Sequence, residues 1–163
     1  PLRRQRQMCI RDRNSDLKKN KVRDLFLTAS LKELLIKVVS PRIIMLSLPA
    51  DKVDKVINEL TNFLEPEDIV SSFDWGTILS NREKFNSRYG ILIDEENQLF
   101  ESKAISNLDD TLMFMIQKDI FHSRKFDLPK DKCVVWTVND KDEIDNILNT
   151  GVYGVVTDIG DKL

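Results

Sequence analysis

The stretch that most constrains this chain is Lys132 to Asp158, KCVVWTVNDKDEIDNILNTGVYGVVTD. An apolar run from Cys133 to Val138 ends in Asn139-Asp140, and a second run spans Gly154 to Thr157. Between them Asp140 is a good helix N-cap, with Glu143 at the spacing of a capping box. Ile144, Ile147 and Leu148 fall on one apolar stripe. Gly151 stands where a helix end needs a left-handed residue. Neither apolar run alternates, as expected of parallel strands buried on both faces. The stretch predicts a strand–helix–strand unit.

The same alternation runs upstream. Ser30-x-x-Glu33 is a capping box opening a helix with Leu31, Leu34, Leu35 and Val38 on its buried face. Ser40-Pro41 stops it, because the residue before proline avoids helical geometry. Ile43 to Leu48 reads as a buried strand, and Pro49 and Asp51 turn the chain into the next helix. Val53, Val56, Ile57, Leu60 and Leu64 give that helix its period, and Pro66 ends it. Asp68 to Phe73 is a strand with Asp74 just past its end. Trp75 to Phe85 reads as a helix using Ile78, Leu79 and Phe85, and Tyr89 to Ile93 as a strand ending at Asp94. Glu95 to Ser106 reads as irregular. Leu108 to Ile116 reads as a helix capped by Asn107 or Asp109, with Leu112, Met115 and Ile116 inward. Asp119 to Leu128 is ambiguous, with room for a short strand at Ile120-Phe121-His122.

Strands alternating with helices through short connections, without hairpin signals, predict a parallel α/β architecture. Strands starting near Ile43, Asp68, Tyr89, Cys133 and Val152 should be parallel neighbours in chain order, with helices outside. Polar residues gather at their C-terminal ends: Ser47; Ser71, Ser72 and Asp74; Asp94; Thr137, Asn139 and Asp140; Thr157 and Asp158. That face carries the active site of a barrel, and open α/β sheets bind ligands there too. No Gly-rich phosphate loop follows a strand, which argues against nucleotide binding.

Hydrophobic content of 41% and charged content of 32% place the chain among globular proteins. A net charge of −2 gives no reason to expect a nucleic-acid partner. No apolar run approaches the ~18 residues that would cross a bilayer. Cys9 and Cys133 lie far apart in unlike contexts, with no metal-type spacing, which fits a reducing, cytoplasmic setting. Cys133 reads as a core thiol.

The 163 residues are short for a (β/α)8 barrel, which takes ~250. The chain also opens at Pro1 rather than Met, so it is expected to enter a barrel partway. Pro1 to Arg13 carries five arginines without periodicity. It reads either as a nucleic-acid arm or as a translated adapter scar, and the second reading takes it out of fold reasoning. Residues 1–24 are therefore expected to be a non-native or disordered basic tail, and residues 25–163 the barrel part.

VVWTVND, a helix, then GVYGVVTD resembles the last two strands of the glycerophosphodiester phosphodiesterase family. Ile69 to Asp74, IVSSFD, is similar to that family's strand ending in SSFD, and Ser30 to Leu35, SLKELL, to one of its helix starts. The resemblance covers Leu25 to Asp158, most closely at the end. It implies a partial TIM (β/α)8-type barrel holding roughly five of the eight strands. It implies metal-dependent hydrolysis of glycerophosphodiesters to glycerol 3-phosphate and an alcohol, with Mg2+ or Ca2+ as cofactor.

The departures are as informative. The family uses a His-Arg-Gly segment, a Glu-x-Asp pair, a second histidine and a Glu-x-Lys on a middle strand. The first three have no match here. Ser47 aligns with the metal-binding Glu of the last motif and Pro49 with its Lys. The chain alone is expected to be inactive, with no catalytic residue and no metal ligand. Trp136 matches a tryptophan that lines the glycerol side of the family's pocket, and it could equally fill the core.

From residue type alone, Asp74 and Asp94 could pair as metal ligands or acid–base groups, though helix caps are the simpler reading. Asp140 reads as a cap, Thr157 and Asp158 as strand-end turn residues, and His122 as a surface residue. A catalytically dead barrel kept as a binding module is the alternative, and an unrelated α/β domain binding a phosphorylated metabolite is a third reading. Ile43, Ile44, Met45, Val155 and Val156 would lie on sheet edges open to self-association.

Overall fold

The computed structural model describes residues 30–159. The readings made for residues 1–24, including Cys9, lie outside them. The chain divides into two units, Pro1–Lys37 and Val38–Leu163. In the first, helix α1 (Leu31–Lys37) starts as its capping box requires, with Ser30 Oγ accepting the Glu33 N–H at 3.2 Å. Leu35 is buried, whereas Val38, expected on the same face, is 41% exposed because the helix has already ended.

The second unit is one parallel sheet of six strands in strict chain order. Its strands are β1 (Ile43–Leu46), β2 (Ile69–Ser72), β3 (Arg88–Ile93), β4 (Leu112–Gln117), β5 (Cys133–Trp136) and β6 (Gly154–Val155). The connecting helices are α2 (Ala50–Leu60), α3 (Trp75–Ser80), α4 (Gln98–Ile105), α5 (Lys118–Phe121) and α6 (Lys141–Leu148). The sheet curls into part of a barrel of the TIM type, and β1 and β6 form its two edges. No helix among the described residues is long and apolar enough to cross a membrane.

Several sequence expectations are corrected. Among the described residues there are six strands and not five, because Leu112–Gln117 is a strand and not part of a helix. It lies between β3 and β5, which are therefore not neighbours. The five apolar residues of β4 are all buried, and Leu112, Met115 and Ile116 fit a helical spacing only by coincidence of a continuous apolar run. Asp109, expected as a helix cap, instead accepts the Thr111 N–H at 2.8 Å and its hydroxyl at 2.7 Å, forming the turn that opens the strand. Gln98–Ile105 is a helix where irregular chain was expected, and Lys118–Phe121 is one turn of helix where a short strand had room. In α6, Ile144 and Ile147 are buried as expected, but Leu148 is 42% exposed.

The two faces of the sheet differ. Ile69, Leu92, Met113, Met115 and Val134 form a cluster drawn from strands alone, joined by Trp136 and Val156. This is the inner face. Gly90 belongs to it: a Cβ there would stand 3.3 Å from both Met115 Cγ and Ser71 Cβ, so the absent side chain lets Met115 lie across β3. On the helix side, Tyr89 stacks on Phe85 with centroids 5.9 Å apart. Gly151, after α6, has φ +88°, the left-handed geometry its position predicted.

Candidate functional site

The strand C-termini bring together most of the polar residues singled out above, and most of them hold the scaffold. Asp74 caps α3: its Oδ1 accepts the Thr77 N–H at 3.0 Å and its Oδ2 the Thr77 hydroxyl at 2.7 Å. Asp94 ends the neighbouring strand, exposed, and its N–H is bound by Gln98 Oε1 at 2.9 Å. Asp140 caps α6 by accepting the Glu143 N–H at 2.9 Å. Ser71 and Ser72 are buried and donate to the Ile44 and Leu46 carbonyls across β1.

Asn139, Thr157 and Asp158 form a clasp between the ends of β5 and β6. Asn139 Oδ1 accepts the Asp158 N–H at 2.9 Å and the Thr157 hydroxyl at 3.2 Å, while its Nδ2 donates to Asp158 Oδ2 at 2.9 Å. The strand-end role expected of Thr157 and Asp158 is what the structure assigns them. The side chains that close the WTVN and VVTD segments therefore answer each other.

Trp136 is different. It is the last residue of β5, half-buried, packed on the inner-face cluster and edge-on to Phe73 with centroids 6.1 Å apart. Its Nε1 is buried and has no hydrogen-bond partner among the described residues. A buried indole N–H usually has an acceptor, so this donor is set apart from the satisfied groups around it. The nearby Trp75 follows the rule, donating Nε1 to the Leu92 carbonyl at 2.8 Å. Phe73, beside Trp136, is 45% exposed, so an apolar shelf remains open at the mouth.

Ser47 and Pro49 follow β1, both exposed. A divalent cation needs several oxygen ligands, with carboxylates foremost. Ser47 brings a hydroxyl, and both carboxylate oxygens of Asp74 are bound to Thr77. Among the described residues no group of three His, Cys, Asp or Glu side chains is placed to hold a metal ion. The described residues do not by themselves offer the ligand set of the Mg2+ or Ca2+ that the resemblance implies.

Sequence reasoning missed Lys118. It follows β4 directly, and its Nζ lies 3.1 Å from Glu143 Oε2 on α6. His122 Nε2 approaches Glu143 Oε1 at 3.6 Å, and the ring is exposed as expected. Glu143 therefore turns toward Lys118 and His122, while Asp140 supplies the cap. The signal was the run LMFMIQK, an apolar strand followed at once by a cation, hidden by the helical reading. Cys133 is fully buried; burial pushes its thiol up to about 12, as befits a core residue. No protein-family model matches this chain, and no curated protein matches it either.

Proposed function

We propose that this chain is the C-terminal part of a glycerophosphodiester phosphodiesterase-like barrel. In this reading it supplies the substrate-side wall and has no hydrolytic centre of its own. The observation that carries this is Trp136, whose buried, unpaired Nε1 sits at the end of β5 beside the open Phe73 ring. A glycerol hydroxyl or phosphate oxygen is the acceptor such a donor lacks, and the two rings suit the glycerol carbons. Parallel strands in chain order, ending in SSFD and WTVN, support the same reading.

In the family the cation neutralises phosphate charge and orients the attacking oxygen, while histidines move protons. Here Ser47 is a poor ligand for a hard cation, and Pro49 offers phosphate no positive charge. The described residues would bind and orient a diester without cleaving it. The ligand is a small glycerophosphodiester rather than a nucleic acid, in a reducing, cytoplasmic setting. Ser47 and Pro49 also favour a second reading, a barrel that has lost catalysis and is kept as a binding module.

The test uses purified chain with glycerophosphocholine and Mg2+ or Ca2+. No turnover above a protein-free control is expected. Calorimetry should detect glycerophosphocholine binding that weakens on Trp136→Phe, a change that keeps the ring and deletes the donor. Turnover lost on Trp136→Ala would overturn the absence of a hydrolytic centre. Absence of binding to the folded wild-type chain would overturn the diester reading.

A further inference from the structure

Leu92 of β3, Met115 of β4 and Val134 of β5 are register partners and form one row of the inner-face cluster. Side chains alternate across a strand, so the next inward positions, two residues on, are Asp94, Gln117 and Trp136. Gln117 and Trp136 are themselves register partners, and Asp94 stands one residue past Ile93, whose partner is Ile116. The three therefore lie side by side at the mouth of the curled sheet, on strands about 4.8 Å apart.

This row is a polar rim on an apolar face, and its hydrogen-bonding groups are open. The Asp94 carboxylate is exposed and takes no hydrogen bond or ion pair among the described residues; only the Asp94 backbone N–H is bound, by Gln98. Gln117 is half-buried, and its Nε2 donates to Asp119 Oδ2 at 3.3 Å, which leaves Oε1 without a donor among the described residues. Trp136 Nε1 is the donor that lacks an acceptor. Asp74, by contrast, has both oxygens taken up by Thr77.

Resting on the glycerophosphodiester reading of the Trp136 shelf, we propose that Asp94 and Gln117 are specificity residues that bind the vicinal diol of the ligand's glycerol. Two acceptors beside one donor decide what can sit there. A phosphate oxygen brings no proton, and the Asp94 carboxylate repels it. The choline cation attracts Asp94 but leaves Gln117 Oε1 and Trp136 Nε1 unanswered. A hydroxyl answers both kinds of group: it donates to Asp94 or Gln117 while its lone pair accepts from Trp136 Nε1. Acceptors on neighbouring strands suit hydroxyls on neighbouring carbons. The glycerol end of the diester thus lies along the ends of β3 to β5, with the phosphate turned away from Asp94. A diester without the diol leaves these polar groups unpaired when it binds.

The test is calorimetry of the full chain with glycerophosphocholine and with ethyl phosphocholine, which keeps the phosphodiester and the choline and lacks the diol. Glycerophosphocholine should bind on the order of tenfold more tightly. Asp94→Ala and Gln117→Met should each weaken glycerophosphocholine several-fold and leave ethyl phosphocholine where it was, so that the preference shrinks. Gln117 makes no side-chain cap to α5, so far-UV circular dichroism should be unchanged in both variants. Equal binding of the two ligands to the wild type overturns the diol assignment and leaves the diester reading standing. So does binding by both variants at wild-type strength, or a loss that falls equally on both ligands, which would make Asp94 a charge contact for choline. Failure of both ligands to bind the folded wild-type chain overturns the diester reading itself, and the diol assignment with it.

Discussion

Arg42 holds Asp68 at the N-terminal ends of β1 and β2 through three nitrogens. Its backbone N–H lies 2.9 Å from Oδ1, its Nε 2.9 Å and its terminal guanidinium nitrogen 2.5 Å from Oδ2. Ser40 Oγ and the Glu65 N–H add bonds at 2.8 and 2.9 Å, and the guanidinium also reaches the Phe63 carbonyl at 2.9 Å. Asp68 is fully buried and Arg42 nearly so. Removing one member of a buried pair leaves the other charge uncompensated. Asp68→Asn should therefore destabilise the unit by about 3 kcal/mol in urea unfolding, and a loss below about 1 kcal/mol would contradict this.

The same pair sets an acid limit. Burial pushes the Asp68 carboxyl up, but the bonds from Arg42, Glu65 and Ser40 outweigh it and hold it at about 2. A folded pKa below the unfolded value of roughly 3.9 stabilises the folded state above that value and ceases to do so as pH falls through the folded one. Stability worth roughly 2 kcal/mol should drain away between about pH 4 and pH 2. The Asp68→Asn chain lacks this contribution, so the two unfolding curves should converge across that window.

The clasp at the other end of the sheet is milder because it is exposed. Asn139→Ala deletes three hydrogen bonds and should cost about 1 kcal/mol. Hydrogen exchange should quicken at the Asp158 amide, which donates to Asn139, more than at Val138, whose amide donates to the Val156 carbonyl at 3.0 Å. Asn139→Asp should cost more than Ala, since it sets a carboxylate against Asp158.

In a Cys9→Ser background, Cys133 should resist a thiol reagent at pH 8 until the chain is unfolded. Its Sγ is buried against the Pro129 carbonyl at 3.0 Å, and burial pushes its thiol up to about 12. Labelling of the native protein at the rate of a free thiol would show that β5 opens locally.

The inner-face side chains of β1 are uncovered: Ile43 is 42% and Met45 36% exposed, while their register partners Ile69 and Ser71 on β2 are buried. Val155 and Val156 at the other edge are half-buried. Burying such a side chain is worth ~1.5–3 kcal/mol, and unpaired strand edges template further pairing. Sedimentation velocity should show concentration-dependent association that Met45→Lys reduces. A monomer of 18.9 kDa unfolding cooperatively at every concentration would refute this.

Legibility followed locality. Asp140, Gly151 and the two strands around them could be read because capping and turn chemistry act within a few residues. The β4 run could not be assigned, because burial on both faces removes the alternation that tells strand from helix. Arg42 and Asp68 gave no signal, since their meaning depends on two strand starts becoming neighbours. Trp136 could be placed on β5 from sequence, but the orientation of its ring and the missing partner of its N–H needed the packing around Phe73 and Val156.

Strict chain order has a further consequence for how the molecule is made. Among the described residues every strand after β1 pairs with the strand just before it in the chain, so none depends on a partner that has yet to be made. Growth of the sheet is then a sequence of additions, each closing a short stretch of chain, which keeps loop-closure entropy low at every step.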